Sequence, residues 1–334
     1  MKRTVLALCS AFFLLLATGA QAAAPTIVNA AFIVDAMKRG VLIWDVRSAE
    51  EYRKGHLPGA VNIGDAAKVL RDDNTEDFLP VDRIEKILGA GGIDPSREVV
   101  VYAGRGQWNA YFGWYALRHF GGDRVHVYHD GIDGWRDAGQ AISTEGAKPT
   151  PVALKLQANP EVIATTQQVR AALGRSDVQL VDARTAKEFL GEDIRAIRGG
   201  HIPGAVNIPY EQNWADPDTL QKLARRQAPN NQGMSLKTEE QLRAVYAKLD
   251  PSKETIVYCQ SGARASETAA VLQDLGFKRV KVYDSSWLGY GNTLDAPANN
   301  ATFFNVGLMN NRMAVLQQRI DALERQLAEA KAAK

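Results

Sequence analysis

The sequence predicts an α/β protein made of two tandem copies of one domain, each a parallel sheet flanked by helices, with a further helix at the C-terminus. Three observations carry this expectation. Blocks of sequence recur in the same order in the two halves, short apolar runs alternate with helical patterns, and apolar residues near the end follow a heptad spacing. A length of 334 residues suits two domains, and 46% hydrophobic with 23% charged residues is the balance of a folded globular chain. The formal charge of +2 gives no basis for binding nucleic acid or an anionic membrane surface.

From the N-terminus, Met1-Lys2-Arg3 is a short positive segment, Val5 to Ala17 is an apolar run, and Ala20-Gln21-Ala22 supplies small residues at the positions a signal peptidase reads. Residues 1–22 therefore read as a cleaved secretory signal peptide, too short and wrongly flanked for a membrane span. The expected location is periplasmic or secreted. Cys9 lies within the apolar run and leaves with it, so Cys259 is the one cysteine of the mature chain. No internal disulfide can form. In an oxidising compartment such a thiol is buried and inert, an intermolecular link, or a reactive group.

The duplication follows. Asp45-Val46-Arg47 answers Asp182-Ala183-Arg184, and "GHLPGAVN" from Gly55 answers "GHIPGAVN" from Gly200. "EVVVYAGRGQWNA" (98–110) answers "ETIVYCQSGARAS" (254–266), and "DRVHVYHDGIDGW" (123–135) answers "KRVKVYDSSWLGY" (278–290). The first copy is placed at 26–140 and the second at 161–295. Between them, 141–160 reads as a linker, with Pro149, Pro151 and Pro160 among polar residues.

Within the first copy, Val41–Trp44, Val99–Tyr102 and Val125–Tyr128 read as buried strands; Gln179–Val181, Thr255–Tyr258 and Val280–Tyr283 answer them in the second. Helical patterns such as Glu239–Leu249 and Ala265–Leu275 separate them, which implies a parallel sheet covered on both faces. At the end, Val306, Met309, Met313, Leu316, Ile320, Leu323, Leu327 and Ala330 are spaced 3,4,3,4,3,4,3 within 306–334. This predicts a short coiled coil and a homo-oligomer; the alternative is one amphipathic helix packed back on the second domain.

The stretch "YCQSGARAS" holds Cys259 at the end of a predicted strand, with a helix expected from Ala265 or Ser266. In an open α/β sheet that edge is where ligands bind. Gln260, Ser261, Gly262 and Ala263 are small enough, with one glycine, for the chain to curl around the sulfur and turn its amides inward at the positive end of a helix. With Arg264 nearby, such surroundings favour the thiolate. They would also hold an anionic sulfur attached to it.

The repeated Asp-x-Arg and Gly-His-x-Pro-Gly-Ala-x-Asn blocks, together with Cys259-x-x-Gly262-x-Arg264-Ala265, resemble the rhodanese sulfurtransferases in their tandem form over residues 26–292. The resemblance implies two rhodanese domains of which the second is active. It implies Cys259 as the carrier of a persulfide between a donor such as thiosulfate and an acceptor: cyanide, a thiol or a protein. No metal or organic cofactor is implied. Gln260, Ser261, Gly262, Ala263 and Arg264 would bind the substrate. The first copy supports the asymmetry, because Tyr102-Ala103 stands where the second has Tyr258-Cys259, and its loop is one residue longer. Arg105 or Trp108 of that loop is a candidate for lining the cleft.

Neighbouring residues carry open alternatives. Arg264 either touches substrate or pairs with Asp182, and Ser261 either contacts the bound sulfur or caps the following helix. Asp182 and Arg184 read as a structural ion pair. His56 and His201 read as turn and core elements, since one accompanies the copy without cysteine. Trp287 either borders the cleft mouth or belongs to the core. Thiosulfate-type tandem enzymes tend to carry two basic residues after the cysteine and mercaptopyruvate-type enzymes Gly-Ser, whereas this loop has Gln260-Ser261. Glu188 would repel a dianionic donor if it faced the pocket. The donor therefore stays open between thiosulfate, mercaptopyruvate, polysulfide and a protein persulfide. Phosphatases and arsenate reductases that share this fold use Cys-x5-Arg, one residue longer than the spacing here. A carrier that loads sulfur without turnover is the non-enzymatic alternative.

Overall fold

Alternating apolar runs and amphipathic stretches leave the chain one economical solution, in which parallel strands are shielded by helices on both sides. The computed structural model describes residues 25–332, so the expected signal peptide at 1–22 lies outside the described residues. The first domain runs β1 (Ile27–Val28), α1 (Ala30–Lys38), β2 (Leu42–Asp45), α2 (Ala49–Lys54), β3 (Val61–Asn62), α3 (Ala66–Val69), α4 (Val81–Ala90), β4 (Val99–Tyr102), α5 (Trp108–His119), β5 (Val125–Tyr128) and α6 (Gly131–Asp137). The second runs β6 (Ile163–Ala164), α7 (Thr166–Ala172), β7 (Val178–Asp182), α8 (Ala186–Phe189), β8 (Val206–Asn207), α9 (Thr219–Ala224), α10 (Glu239–Val245), β9 (Glu254–Tyr258), α11 (Ala263–Asp274), β10 (Val280–Tyr283) and α12 (Ser286–Asn292). One-turn 3-10 helices occupy Tyr210–Asn213 and Gln232–Met234, and α13 (Val306–Ala332) ends the described chain.

Both sheets are parallel and five-stranded, in the orders β1-β5-β4-β2-β3 and β6-β10-β9-β7-β8. The six strands read from the sequence are the inner three of each sheet. The two-residue outer strands are too short to leave an apolar pattern. Register sets Asp45 beside Tyr102 and Asp182 beside Tyr258, which brings the repeated motifs together at the same edge of each sheet. The Arg47 and Arg184 guanidiniums grip the buried Asp45 and Asp182 and donate to the Gly55 and Gly200 carbonyls. His56 and His201 are buried, stacked on Tyr52 and Phe189, and hydrogen-bonded to the carbonyls of those residues through Nδ1. Because both copies keep these arrangements, they belong to the architecture.

Residues 138–162 form no regular element, yet they are not free. Val152 N donates to Gly89 O and Asn159 N to His119 O, so the segment retraces the first domain before entering the second. The domains share a core. α5 and α11 pack against each other, and one apolar cluster runs from Tyr111, Phe112 and Tyr115 to Ala269, Ala270 and Leu272. The outer faces carry clusters of their own around Ile33 and Val169. The helix α13 contributes no buried residue, so the alternative in which it packs on the second domain does not hold.

Candidate active site

β9 ends at Tyr258 and α11 begins at Ala263, two residues earlier than its sequence pattern suggested; the loop between them carries Cys259. Gly262 makes the turn possible. Its φ is +78°, and a Cβ there would meet Asp284 O at 2.9 Å. Gly262 is also the N-cap of α11, so Ser261 does not cap the helix and its hydroxyl is left to the cavity. The amides of Gln260, Ser261, Ala263, Arg264 and Ala265 donate to no protein acceptor among the described residues.

Cys259 lies on the floor of a cavity of about 460 Å³. Gln260, Ser261, Ala263 and Arg264 line it from the same domain, with Arg195. The opposite wall belongs to the first domain: Asp65, Lys68 and Arg71, the acidic residues Asp72, Asp73 and Glu76, and Trp108. Trp108 thus does line the cleft. Arg105 does not, being tied to Asp130 and Asp137 on the far side of its own loop. Gln260 Nε2 donates to Arg195 O at 2.6 Å, and its Oε1 has no partner among the described residues.

Arg264 pairs with Glu188, not with Asp182. The contact is bidentate, at 2.7 and 2.8 Å, with a third approach from Arg195 at 3.3 Å. Burial pushes the Glu188 carboxyl up, but its pairing with Arg264 outweighs this and holds it at about 2. Glu188 is 1% exposed, so its charge is buried and compensated and does not face the cavity as an uncompensated anion. A glutamate in α8 and an arginine in α11, 76 positions apart, gave no sign of this pairing in the sequence.

Asp182, Arg184 and Trp287 all lie beneath the loop, outside the cavity. Trp287 is fully buried, donates from Nε1 to Arg198 O, and receives the Arg184 guanidinium 4.7 Å from its ring. It belongs to the core rather than the cleft mouth.

Ser286 escaped sequence reasoning. It is fully buried and adopts φ +46°, a conformation that non-glycine residues avoid. Its hydroxyl accepts from Cys259 N at 3.0 Å and Gly262 N at 2.9 Å, and donates to Tyr283 O at 2.6 Å. One side chain therefore fixes both ends of the Cys259–Gly262 turn. The signal lay in the repeat, where Gly131 stands at the matching place, also with positive φ.

A rhodanese-like domain model matches residues 30–138 and 165–293, the two sheets with their helices. The chain belongs to the rhodanese family. Among similar rhodaneses, a thiosulfate sulfurtransferase of Corynebacterium glutamicum is 35% identical over 74% of this chain and 80% of its own length. A thiosulfate sulfurtransferase of Azotobacter vinelandii is 31% identical over 77% of this chain and 90% of its own. Among solved structures, the anaerobic ergothioneine biosynthesis enzyme of Chlorobium limicola, in complex with trimethyl histidine, superimposes with a TM-score of 0.69. That match covers 82% of this chain and 70% of the other at 24% identity, a likeness of fold alone.

Proposed function

We propose that this rhodanese is a sulfurtransferase that carries sulfane sulfur as a persulfide on Cys259. The observation that carries the reading is the position of Cys259: on the floor of an open cavity, at the end of a central strand, ringed by loop amides that have no protein acceptor. A structural cysteine needs neither the cavity nor the amides. The names of the similar sulfurtransferases point the same way and favour thiosulfate as donor.

In the first half-reaction the Cys259 thiolate attacks the outer sulfur of thiosulfate. The S–S bond of the donor breaks, sulfite leaves with the bonding electron pair, and the enzyme keeps a persulfide anion. The amides of Gln260, Ser261 and Ala263 and the N-terminus of α11 are the dipoles available to that anion. Lys68 and Arg195 are the cavity-wall cations that an incoming anion would meet, beside the acidic residues there. In the second half-reaction cyanide, a thiol or a protein thiolate attacks the outer sulfur, and Cys259 departs as thiolate. Phosphoryl chemistry is disfavoured, because the Arg264 guanidinium is occupied by Glu188 in the fork geometry a phosphate would need. The leader read from the sequence supports a reaction outside the cytoplasm, which fractionation of cells expressing the full chain tests.

Incubation with thiosulfate followed by intact-mass measurement should show one added sulfur, and cyanide should discharge it as thiocyanate. No adduct, or an adduct that persists in Cys259→Ala, refutes the reading. Loading without thiocyanate formation makes the protein a persulfide carrier instead.

A further inference from the structure

We propose that α13 pairs with α13 of a second copy of this chain in a parallel, in-register, two-stranded coiled coil. The helix spans 27 residues, about 40 Å at 1.5 Å per residue, and none of them is buried. Its apolar stripe faces solvent: Val306 is 60% exposed, Met313 59%, Leu316 60%, Ile320 48%, Leu323 55% and Leu327 55%. A lone helix of this kind has no packing to sustain it, and a continuous apolar seam left open marks an interaction surface.

The identity of the occupant is written in the heptad. The spacing sets Val306, Met313, Ile320 and Leu327 at the a positions and Met309, Leu316, Leu323 and Ala330 at d. Branched Val306 and Ile320 at a, with Leu316 and Leu323 at d, is the combination that favours two parallel strands. Leu308 and Val315 at c widen the stripe in its N-terminal half.

Charge fixes orientation and register. Arg319 falls at g and Glu324 at the following e. In a parallel, in-register pair each g faces the e of the partner five residues on, so Arg319 of each copy meets Glu324 of the other, twice per dimer. Within its own helix Arg319 has no ion pair among the described residues. An antiparallel pair sets g against g and e against e, and loses this match.

The test uses the chain from Ala23 to the C-terminus, sized by sedimentation equilibrium at low salt. A dimer is expected, and removal of residues 306–334 should give a monomer. Arg319→Glu and Glu324→Arg should each weaken the dimer by roughly tenfold in Kd, and the double exchange should restore it. Mixing the two single variants should give heterodimers in preference to either homodimer, since both cross-pairs are then matched. A monomer at all concentrations, a trimer, or failure of the double exchange and of the mixture to recover binding would overturn the proposal. The folded state of each variant is checked independently by thermal unfolding of the two rhodanese domains.

Discussion

In the first domain the loop after β4 lies under residues 230–235 of the second domain; in the second domain the loop after β9 faces residues 65–76 of the first across an open cavity. The scaffold beneath is the same. Ala103 and Cys259, Gly106 and Gly262, Gly131 and Ser286 occupy matching places on matching sheets. Over the first loop, His129 Nε2 bonds Met234 O, Ser235 bonds Asp130, and Gly106 is so close to Met234 that a Cβ would stand 2.8 Å from it. Over the second, Arg71 reaches Asp284 and Asp77 receives the Ser285 hydroxyl, yet a cavity remains between the domains, with the buried Cys259 in its lining. Each domain braces the other, and only one brace leaves room for a ligand. On the proposed function, the first domain lacks the chemistry for two reasons, a missing nucleophile and a closed roof.

Restoring the nucleophile alone should not restore the reaction. The variant Ala103→Cys in a Cys259→Ala background is expected to take no sulfur from thiosulfate by intact mass, the full loss seen with Cys259→Ala. Sulfur loading in that variant would break the comparison.

The charged pair on the open side should be costly to disrupt. Arg264→Met leaves the buried Glu188 carboxylate without its bidentate partner and should cost about 3–5 kcal/mol in urea unfolding. In the first domain Trp108 stands at the place of Arg264. The sign with pH follows from the depressed carboxyl. Glu188 titrates at about 2 in the fold, below the ~4.3 of an exposed glutamate, so its stabilisation is complete above pH ~4.3 and is lost as pH falls toward 2. Glu188→Gln should flatten that part of the stability profile.

At the next matched position the two domains should respond oppositely. Gly131→Ala sets a Cβ 2.1 Å from Ala103 O at φ +52°, and should destabilise by about 3 kcal/mol while turnover per folded molecule holds. Ser286→Gly relieves the backbone but strips the acceptor from Cys259 N and Gly262 N, so kcat should fall roughly tenfold, about 1.4 kcal/mol. Equal turnover in the two variants would remove Ser286 from the positioning of the loop.

The smallest effect concerns the brace itself. Burial pushes the Asp284 carboxyl up to about 6 even though Arg71 opposes the shift. A raised carboxyl favours the fold below its unfolded pKa of ~3.9 and loses that contribution as pH rises through 6. Asp284→Asn should remove this modest decline from a plot of Tm against pH between 4 and 6.

Much of this could be read from the chain alone, because it is carried by local pattern. The repeat, the inner strands and the turn glycine all depend on residues close in sequence, and a cysteine at a strand end against an alanine at its counterpart is visible without coordinates. The Asp-x-Arg pairs were legible for the same reason, being two residues apart. What the sequence left undecided, or suggested wrongly, depends on distant segments. Arg264 turned to Glu188 in another helix, Trp287 sank beneath the loop, and Ser286 gained its role from two amides of a loop it does not adjoin in sequence. The cavity is the furthest case, since its far wall comes from the other domain. Local sequence determined which residue is the candidate to carry sulfur; only the meeting of the two domains decided that a cavity would stand beside it, because open space is a property of how surfaces fail to touch.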